Sequence, residues 1–229
     1  MPQAYFVTGT DTDAGKTTIA AGLLHAARVS GLSTAAVKPV ASGCEQTAEG
    51  LRNADALALH AQCTLALEYA QVNPYAFLPA IAPHVAACEA GVQLEAAQLA
   101  RQVQAVLGLH ADFSLVEGAG GWRVPLSATE CLSDLAQNLR LPVILVVGVR
   151  LGCINHALLT AEAIAADGLQ LAGWVANLID PGMSRLDDTL ATLRERLPVP
   201  CLGQVPRLQQ ATAEHVAPWL DLGKLQMAI

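Results

Sequence analysis

The sequence predicts an α/β fold: a mostly parallel sheet with helices on both faces, in a single domain across residues 1–229. Three observations predict it. Short continuous apolar runs such as LPVILVVGV recur along the chain. They alternate with segments whose apolar residues return at helical spacing. Several runs stop at a glycine or at one polar residue. Strands apolar on both faces belong to parallel sheets covered on both sides, because a half-exposed strand would alternate with polar residues. Hydrophobic residues make up 53% of the chain and charged residues 14%, which suits such burial.

The elements follow in order. AYFVT at 4–8 is a short strand that ends at Gly9. A helix is expected over 16–29, where Ile19, Ala20, Leu23, Leu24 and Ala27 share one face. STAAVKPV at 33–40 reads as a second strand closed by proline. FSLVEG at 113–118, PVILVVG at 142–148 and QLAGWVAN at 170–177 read as three more. Helices are expected over 92–107, 153–166 and 184–196. QVNPYAFLPAIAPHVAA at 71–87 carries three prolines and reads as a long, functional loop.

Composition narrows the function classes. The net charge is −7, and no Lys/Arg cluster offers the basic patch that nucleic acid requires. No apolar run reaches the 18 or so residues of a membrane span. The six cysteines at 44, 63, 88, 131, 153 and 201 form no Cys-x-x-Cys pair. With a strand starting at residue 4 in place of a signal peptide, they read as free thiols in a reducing cytoplasm.

The strongest motif is TGTDTDAGKTT at 8–18. A phosphate-binding loop reads Gly, four residues, then Gly-Lys-Ser/Thr. Here five residues separate Gly9 from Gly15, and Thr10 holds the place of the first glycine. Gly15-Lys16-Thr17 still follow a strand and open a helix, the context the motif needs. Backbone amides at that helix start can hold phosphate oxygens. Lys16 would reach the terminal phosphates and the Thr17 hydroxyl would bind Mg²⁺. This predicts a P-loop NTPase-like fold. A branch with variant loops places a second lysine five residues before the first; Asp11 stands there, which fits its partitioning-type ATPases poorly.

Other motifs are open to two readings. Lys38, in KPVASG, ends a strand at the carboxyl edge, where open α/β sheets bind ligands. It is either a charge stabiliser for a transferring group or a strand-end lysine in water, while Ser42 and Gly43 suggest a tight turn against a ligand. Asp55, in LRNADALAL, is either a helix cap or a metal-facing carboxylate. LVEGAGG at 115–121 delivers Glu117 to a strand end, and its glycines allow close backbone approach to a ligand. An acidic residue so placed helps hold Mg²⁺ in nucleotidases. VVGVRLGCINHA at 146–157 repeats the strand–glycine–helix pattern without a lysine. It is either a site for a substrate carboxylate or a connection capped by Asn155. Asn177 ends a strand with an amide that could read a purine edge. Of six histidines, His84 alone sits in the proline-rich segment.

Taken together, YFVTGTDTDAGKTT, KPVASG, LRNADALAL, VNPYAF, VEGAGGW, LPVILVVGVRLGCINHALLTAEAI and LAGWVAN resemble the dethiobiotin synthetases, in order from residue 5 to about 208. The resemblance implies a homodimer with a shared active site. It implies that 7,8-diaminopelargonic acid, CO₂ and MgATP are joined through a carbamate and a carbamic–phosphoric anhydride, with release of ADP and phosphate. By the same resemblance, Asp13, Ala14, Gly15, Lys16, Thr17 and Thr18 wrap the phosphates, and Thr17, Asp55 and Glu117 are the Mg²⁺ ligands. Lys38 and Lys16 are the catalytic lysines, and Ser42 touches the diamine. Gly118, Ala119 and Gly120 lie along ATP. Gly152 and Asn155 take the substrate carboxylate from the neighbouring subunit. Asn177, Pro206, Arg207 and Leu208 lie on the adenine side. Asp13, Ala14 and Ala82 depart from the common Glu, Val and Ser of relatives. A cobyrinate-type amidating ligase shares the variant loop but usually carries a glutaminase domain, for which this chain is too short.

Overall fold

The computed structural model describes residues 3–225; residues 1, 2 and 226–229 of the expected domain lie outside the described residues. The chain begins with β1 (Gln3–Gly9) and α1 (Lys16–Val29), as their apolar spacing predicts. Next come β2 (Thr34–Val37), β3 (Val40–Ala41), the β4 (Glu45–Thr47) and β5 (Gly50–Arg52) hairpin, α2 (Ala54–His60), α3 (Tyr69–Val72), β6 (Tyr75–Ala76), α4 (Pro83–Glu89) and α5 (Ala96–Leu107). The second half runs through β7 (Phe113–Glu117), α6 (Leu132–Leu139), β8 (Val143–Gly148), α7 (Cys153–Ala166), β9 (Leu171–Asn177), α8 (Leu186–Arg196), β10 (Cys201–Val205) and α9 (Ala213–Val216).

Six strands form one sheet in the order β10-β9-β8-β1-β7-β2, with every neighbouring pair parallel. Side chains alternate across it. Tyr5, Val7, Phe113, Leu115, Ile144 and Val146 pack on one face with Ile19, Leu23 and Leu24 of α1. Phe6, Val116, Leu145 and Val147 pack on the other with Leu99 and Val103 of α5, Leu135 of α6 and Ile164 of α7. Both faces are therefore dry, which is why the strands read as unbroken apolar runs. From β1 the chain builds toward β2 on one side and later toward β10 on the other. The phosphate loop thus leaves the sheet next to its topological switch point, where open α/β folds bind ligands.

Four boundaries differ from expectation. The strand expected over 33–40 stops at Val37, because the Lys38 amide turns away to the Val72 carbonyl and Pro39 has no donor to offer the ladder. The segment 71–87 is not an open loop. It holds the end of α3, then β6 paired in parallel with β3, then the start of α4. Pro83 opens α4 at its first turn, where a missing N–H costs nothing. The helix expected from residue 92 begins at Ala96: the Val92 amide closes α4 on Ala87, and the Glu130 carboxylate accepts the Ala96 amide. The helix expected from residue 184 begins at Leu186, after Arg185 in a left-handed conformation (φ 56°). The edge strand β10 and the helix α6 were not expected from the sequence.

Candidate active site

The loop between β1 and α1 is anchored on both sides. The Thr10 amide donates to the Val146 carbonyl, and the Gly148 amide donates to the Thr10 hydroxyl. Gly15 caps α1 at φ 86°, a left-handed backbone that glycine adopts without strain. A Cβ on Gly15 would collide with Asn177 Nδ2, so the position is closed to a side chain by contact as well. Asn177 Nδ2 donates to the Ala14 carbonyl at 2.9 Å. Its amide, expected on a purine edge, is thus engaged in holding the loop.

A cavity of about 280 Å³ opens on this loop. Asp13, Gly15, Lys16, Thr17, Thr18, Lys38, Ser42, Asp55, Ala119 and Gly120 line it, together with Thr12 and Ala41, which the sequence did not single out. Glu117 lies beneath, with no exposed surface. Three distant parts of the chain therefore meet here: the phosphate loop, the segment after β2 with the start of α2, and the end of β7.

The charges are tightly arranged. Lys38 Nζ lies 2.6 Å from Glu117 Oε1 and 3.0 Å from Asp55 Oδ2. The Thr17 hydroxyl donates to the same Glu117 Oε1 at 2.7 Å. Glu117 Oε2 is buried without a hydrogen-bond partner. Burial acts to push the Lys38 ammonium down, but the Glu117 and Asp55 carboxylates outweigh it and hold its pKa above the ordinary 10.5. Lys16 differs. Burial lowers its pKa; Glu117 opposes the shift, and the positive charge of Lys38 adds to it. Its Nζ donates to the Asp11 carbonyl at 3.3 Å.

The two-way readings narrow on these contacts. Asp55 is not the cap of α2; the Asn53 side chain accepts the Ala56 amide in that role. Asp55 sits in the first turn and pairs with Lys38. Lys38 is not a solvated strand-end lysine. Asn155 is not a cap either, since Gly152 at φ 93° opens α7 and Asn155 lies inside its first turn, exposed.

Not every expected residue reaches the cavity. Ala14 is buried behind the loop, and Gly118 packs on Phe6 with its amide donating to Val7. Gly152, Asn155, Asn177 and the 206–208 segment do not line it. The 206–208 segment follows β10, whose Val205 is in register with Asn177. His84 sits in α4, away from the cavity lining. One group that the sequence missed is Asn73, which donates to the Lys38 carbonyl at 2.8 Å. Asn73-Pro74 reads locally as a turn signal and nothing more.

Thr17, Asp55 and Glu117 pass a chemical test as Mg²⁺ donors. They offer one hydroxyl, two carboxylates and a buried oxygen without a partner. Among the described residues there is no cluster of three or more His, Cys, Asp or Glu. Mg²⁺ does not need one, because it takes one or two carboxylates and completes its shell with water and phosphate.

Comparisons with known proteins give the family of the chain. An AAA domain family matches residues 3–215. A Pseudomonas aeruginosa protein, ATP-dependent dethiobiotin synthetase BioD, is 71% identical over 229 residues, covering 100% of both chains. The chain belongs to the dethiobiotin synthetase family. A BioD of Cellvibrio japonicus is 60% identical over 97% of each chain, and one of Pseudescherichia vulneris is 52% identical over 100% of this chain and 95% of its own. Solved structures supply the wider fold. The septum site-determining protein MinD of Pyrococcus horikoshii, complexed with Mg-ADP, superposes with a TM-score of 0.56 at 17% identity, over 93% of this chain and 87% of its own. The cell division protein FtsY of Thermotoga maritima gives 0.52 at 16% identity, over 95% and 69%. The chain therefore has a P-loop NTPase-like fold. No helix among the described residues is long and apolar enough to cross a membrane.

Proposed function

We propose that this protein closes the ureido ring of dethiobiotin from 7,8-diaminopelargonic acid, CO₂ and ATP, with Mg²⁺, as the ligase step of biotin synthesis. The observation that carries this reading is a buried lysine, Lys38, held by Glu117 and Asp55 in the same cavity as Gly15-Lys16-Thr17. A phosphate loop alone serves many nucleotidases. A second buried cation opposite it suits a reaction in which two anions, a carbamate and the γ-phosphate, must meet.

One amine takes up CO₂ as a carbamate. The carbamate oxygen attacks the γ-phosphorus, ADP leaves, and a carbamic–phosphoric anhydride forms. The second amine attacks the anhydride carbon, loses a proton, and phosphate departs. Asp13 to Thr18 wrap the phosphates, with Lys16 on the β- and γ-phosphates. Lys38 faces the carbamate and the transferring group. Ser42 contacts the diamine, and Ala119 and Gly120 lie along the nucleotide, with Gly118 packed behind them on Phe6. Thr17, Asp55 and Glu117 would hold Mg²⁺, which supplies charge neutralisation on the phosphate oxygens. Because both amines belong to one bound molecule, orientation contributes much of the remaining rate.

The adenine end lies by Asn177, Pro206, Arg207 and Leu208. The loop contact of Asn177 through Nδ2 leaves its Oδ1 for that purpose. The protein acts as a homodimer of single-domain chains spanning 1–229, in the cytoplasm. Gly152 and Asn155 at the start of α7 receive the carboxylate of a diamine bound at the neighbouring subunit. Support comes from their exposure and from their absence from the chain's own cavity. The six cysteines are all free thiols, as a reducing compartment favours.

The test supplies diaminopelargonate, bicarbonate and MgATP and looks for dethiobiotin by mass. Stoichiometric dethiobiotin, ADP and phosphate are expected. ATP hydrolysis without dethiobiotin overturns the reading.

A further inference from the structure

We propose that Asn73, Tyr69 and Asn53 are positioning residues for the reaction, forming one hydrogen-bonded strut, buried at both asparagines, that fixes Lys38, Asp55 and Ser42 relative to one another. The inference rests on the proposed ring closure and adds residues to its machinery.

The strut is continuous. Asn73, 3% exposed, donates from Nδ2 to the carbonyls of Lys38 at 2.8 Å and Tyr75 at 3.2 Å. Its Oδ1 accepts the Tyr69 hydroxyl at 3.1 Å. That hydroxyl oxygen accepts the Asn53 backbone N–H at 2.8 Å. Asn53, 6% exposed, then divides its side chain: Oδ1 accepts the Ala56 amide and caps α2, which carries Asp55, while Nδ2 donates to the Ser42 carbonyl at 3.3 Å. A further bond, Lys38 N–H to the Val72 carbonyl at 2.7 Å, ties the same strand end to α3.

Each partner is placed for a reason. The two asparagines are buried, and a buried amide left unpaired is costly, so each bond restricts where the next group can sit. The Tyr69 ring is fixed from its face by the Arg52 guanidinium, 4.3 Å from the ring centroid. None of the three side chains lines the cavity. They act through Lys38, Asp55 and Ser42, and none touches the phosphate loop. Nucleotide and diamine functions should therefore separate on mutation.

Tyr69→Phe removes the hydroxyl and keeps the ring. It should lower kcat for dethiobiotin formation by about tenfold, the usual scale for losing a supporting hydrogen bond, and raise KM for the diamine, with ADP affinity by calorimetry unchanged. Asn53→Ser keeps a capping oxygen for α2 but loses the tie to Ser42. It should raise the diamine KM with little change in kcat. Parallel thermal melts separate position from folding. A Tyr69→Phe enzyme with wild-type kcat and diamine KM overturns the inference, as does one in which ADP affinity falls in step with kcat. A wild-type enzyme that makes no dethiobiotin refutes the ring-closure reading instead, so the two failures are distinct.

Discussion

Lys38 Nζ and Glu117 Oε1 lie 2.6 Å apart across 79 residues of sequence, both side chains nearly or fully withdrawn from solvent. Removing one partner strands the other. Lys38→Ala should abolish dethiobiotin formation while MgADP still binds, because the phosphate loop is untouched. It should also cost roughly 3 kcal/mol of unfolding free energy, the low end for breaking a buried pair. Glu117→Gln in the Lys38→Ala background should recover part of that loss, since no charge is then left unpaired. Turnover, calorimetry and urea unfolding check the three parts. Wild-type turnover in Lys38→Ala removes the residue from the mechanism.

Glu117→Gln alone addresses the metal. It keeps the shape of the side chain but loses the charge on the partnerless oxygen. The Mg²⁺ concentration needed for half-maximal nucleotide binding should rise by about tenfold or more. An unchanged Mg²⁺ requirement would exclude Glu117 as a ligand.

The Gly15–Asn177 contact predicts a coupled pair. Asn177→Ala loses the bond to Ala14 and should cost about 1 kcal/mol of stability. Gly15→Ala forces a Cβ onto Asn177 Nδ2 and a left-handed backbone onto alanine, so nucleotide binding should fail. In the Asn177→Ala background the same glycine change should cost less, because only the backbone strain, roughly 1–2 kcal/mol, remains. Strict additivity in this cycle would show that Asn177 does not set the loop.

How much of this was legible in the sequence depended on distance along the chain. Gly15-Lys16-Thr17 could be read because the loop, its strand and its helix are consecutive. The six-stranded sheet could be read in outline because its central strands are dry on both faces. β10 could not: Gly203 and Gln204 interrupt its apolar run, and it lies at the sheet edge. Lys38, Asp55 and Glu117 were each individually ambiguous. The resemblance grouped them, but their contact is a tertiary fact that no spacing encodes. Asp55 shows the limit well, since Asn53 performs the capping that local reasoning offered to Asp55. Asn73 escaped because a buried asparagine and a turn asparagine look alike beside a proline.

The two lysines should respond to alkali in opposite directions. Lys38 has its folded pKa above 10.5, so its contribution to stability is full below 10.5 and is lost as pH rises through the folded value. Lys16 has its folded pKa below 10.5, so its burial opposes folding at neutral pH. That penalty is relieved as pH rises from the folded value toward 10.5. Phosphate beside Lys16 should restore its proton. MgADP binding in that alkaline window should therefore take up protons, measured by calorimetry in buffers of different ionisation enthalpy. Lys16→Met should abolish the uptake. Equal uptake in the variant would assign it to another group.

The dimer prediction turns on Leu151, whose side chain is 92% exposed immediately before Gly152, with Leu159 of α7 at 56%. Leu151 flanks Gly152, the residue expected to meet the neighbouring subunit, so a charge at this position tests that face. Leu151→Asp places a charge there without touching the chain's own cavity. Light scattering should show the wild type at about twice the 23.8 kDa chain mass and the variant shifted toward one chain. If α7 of one subunit receives the carboxylate bound at the other, kcat/KM for the diamine should collapse in the variant. ADP affinity should stay near wild type, because the phosphate loop, Lys16 and Asn177 come from a single chain. A monomeric Leu151→Asp enzyme with full diamine turnover would defeat the shared site, and a dimeric one with full turnover would move the interface elsewhere.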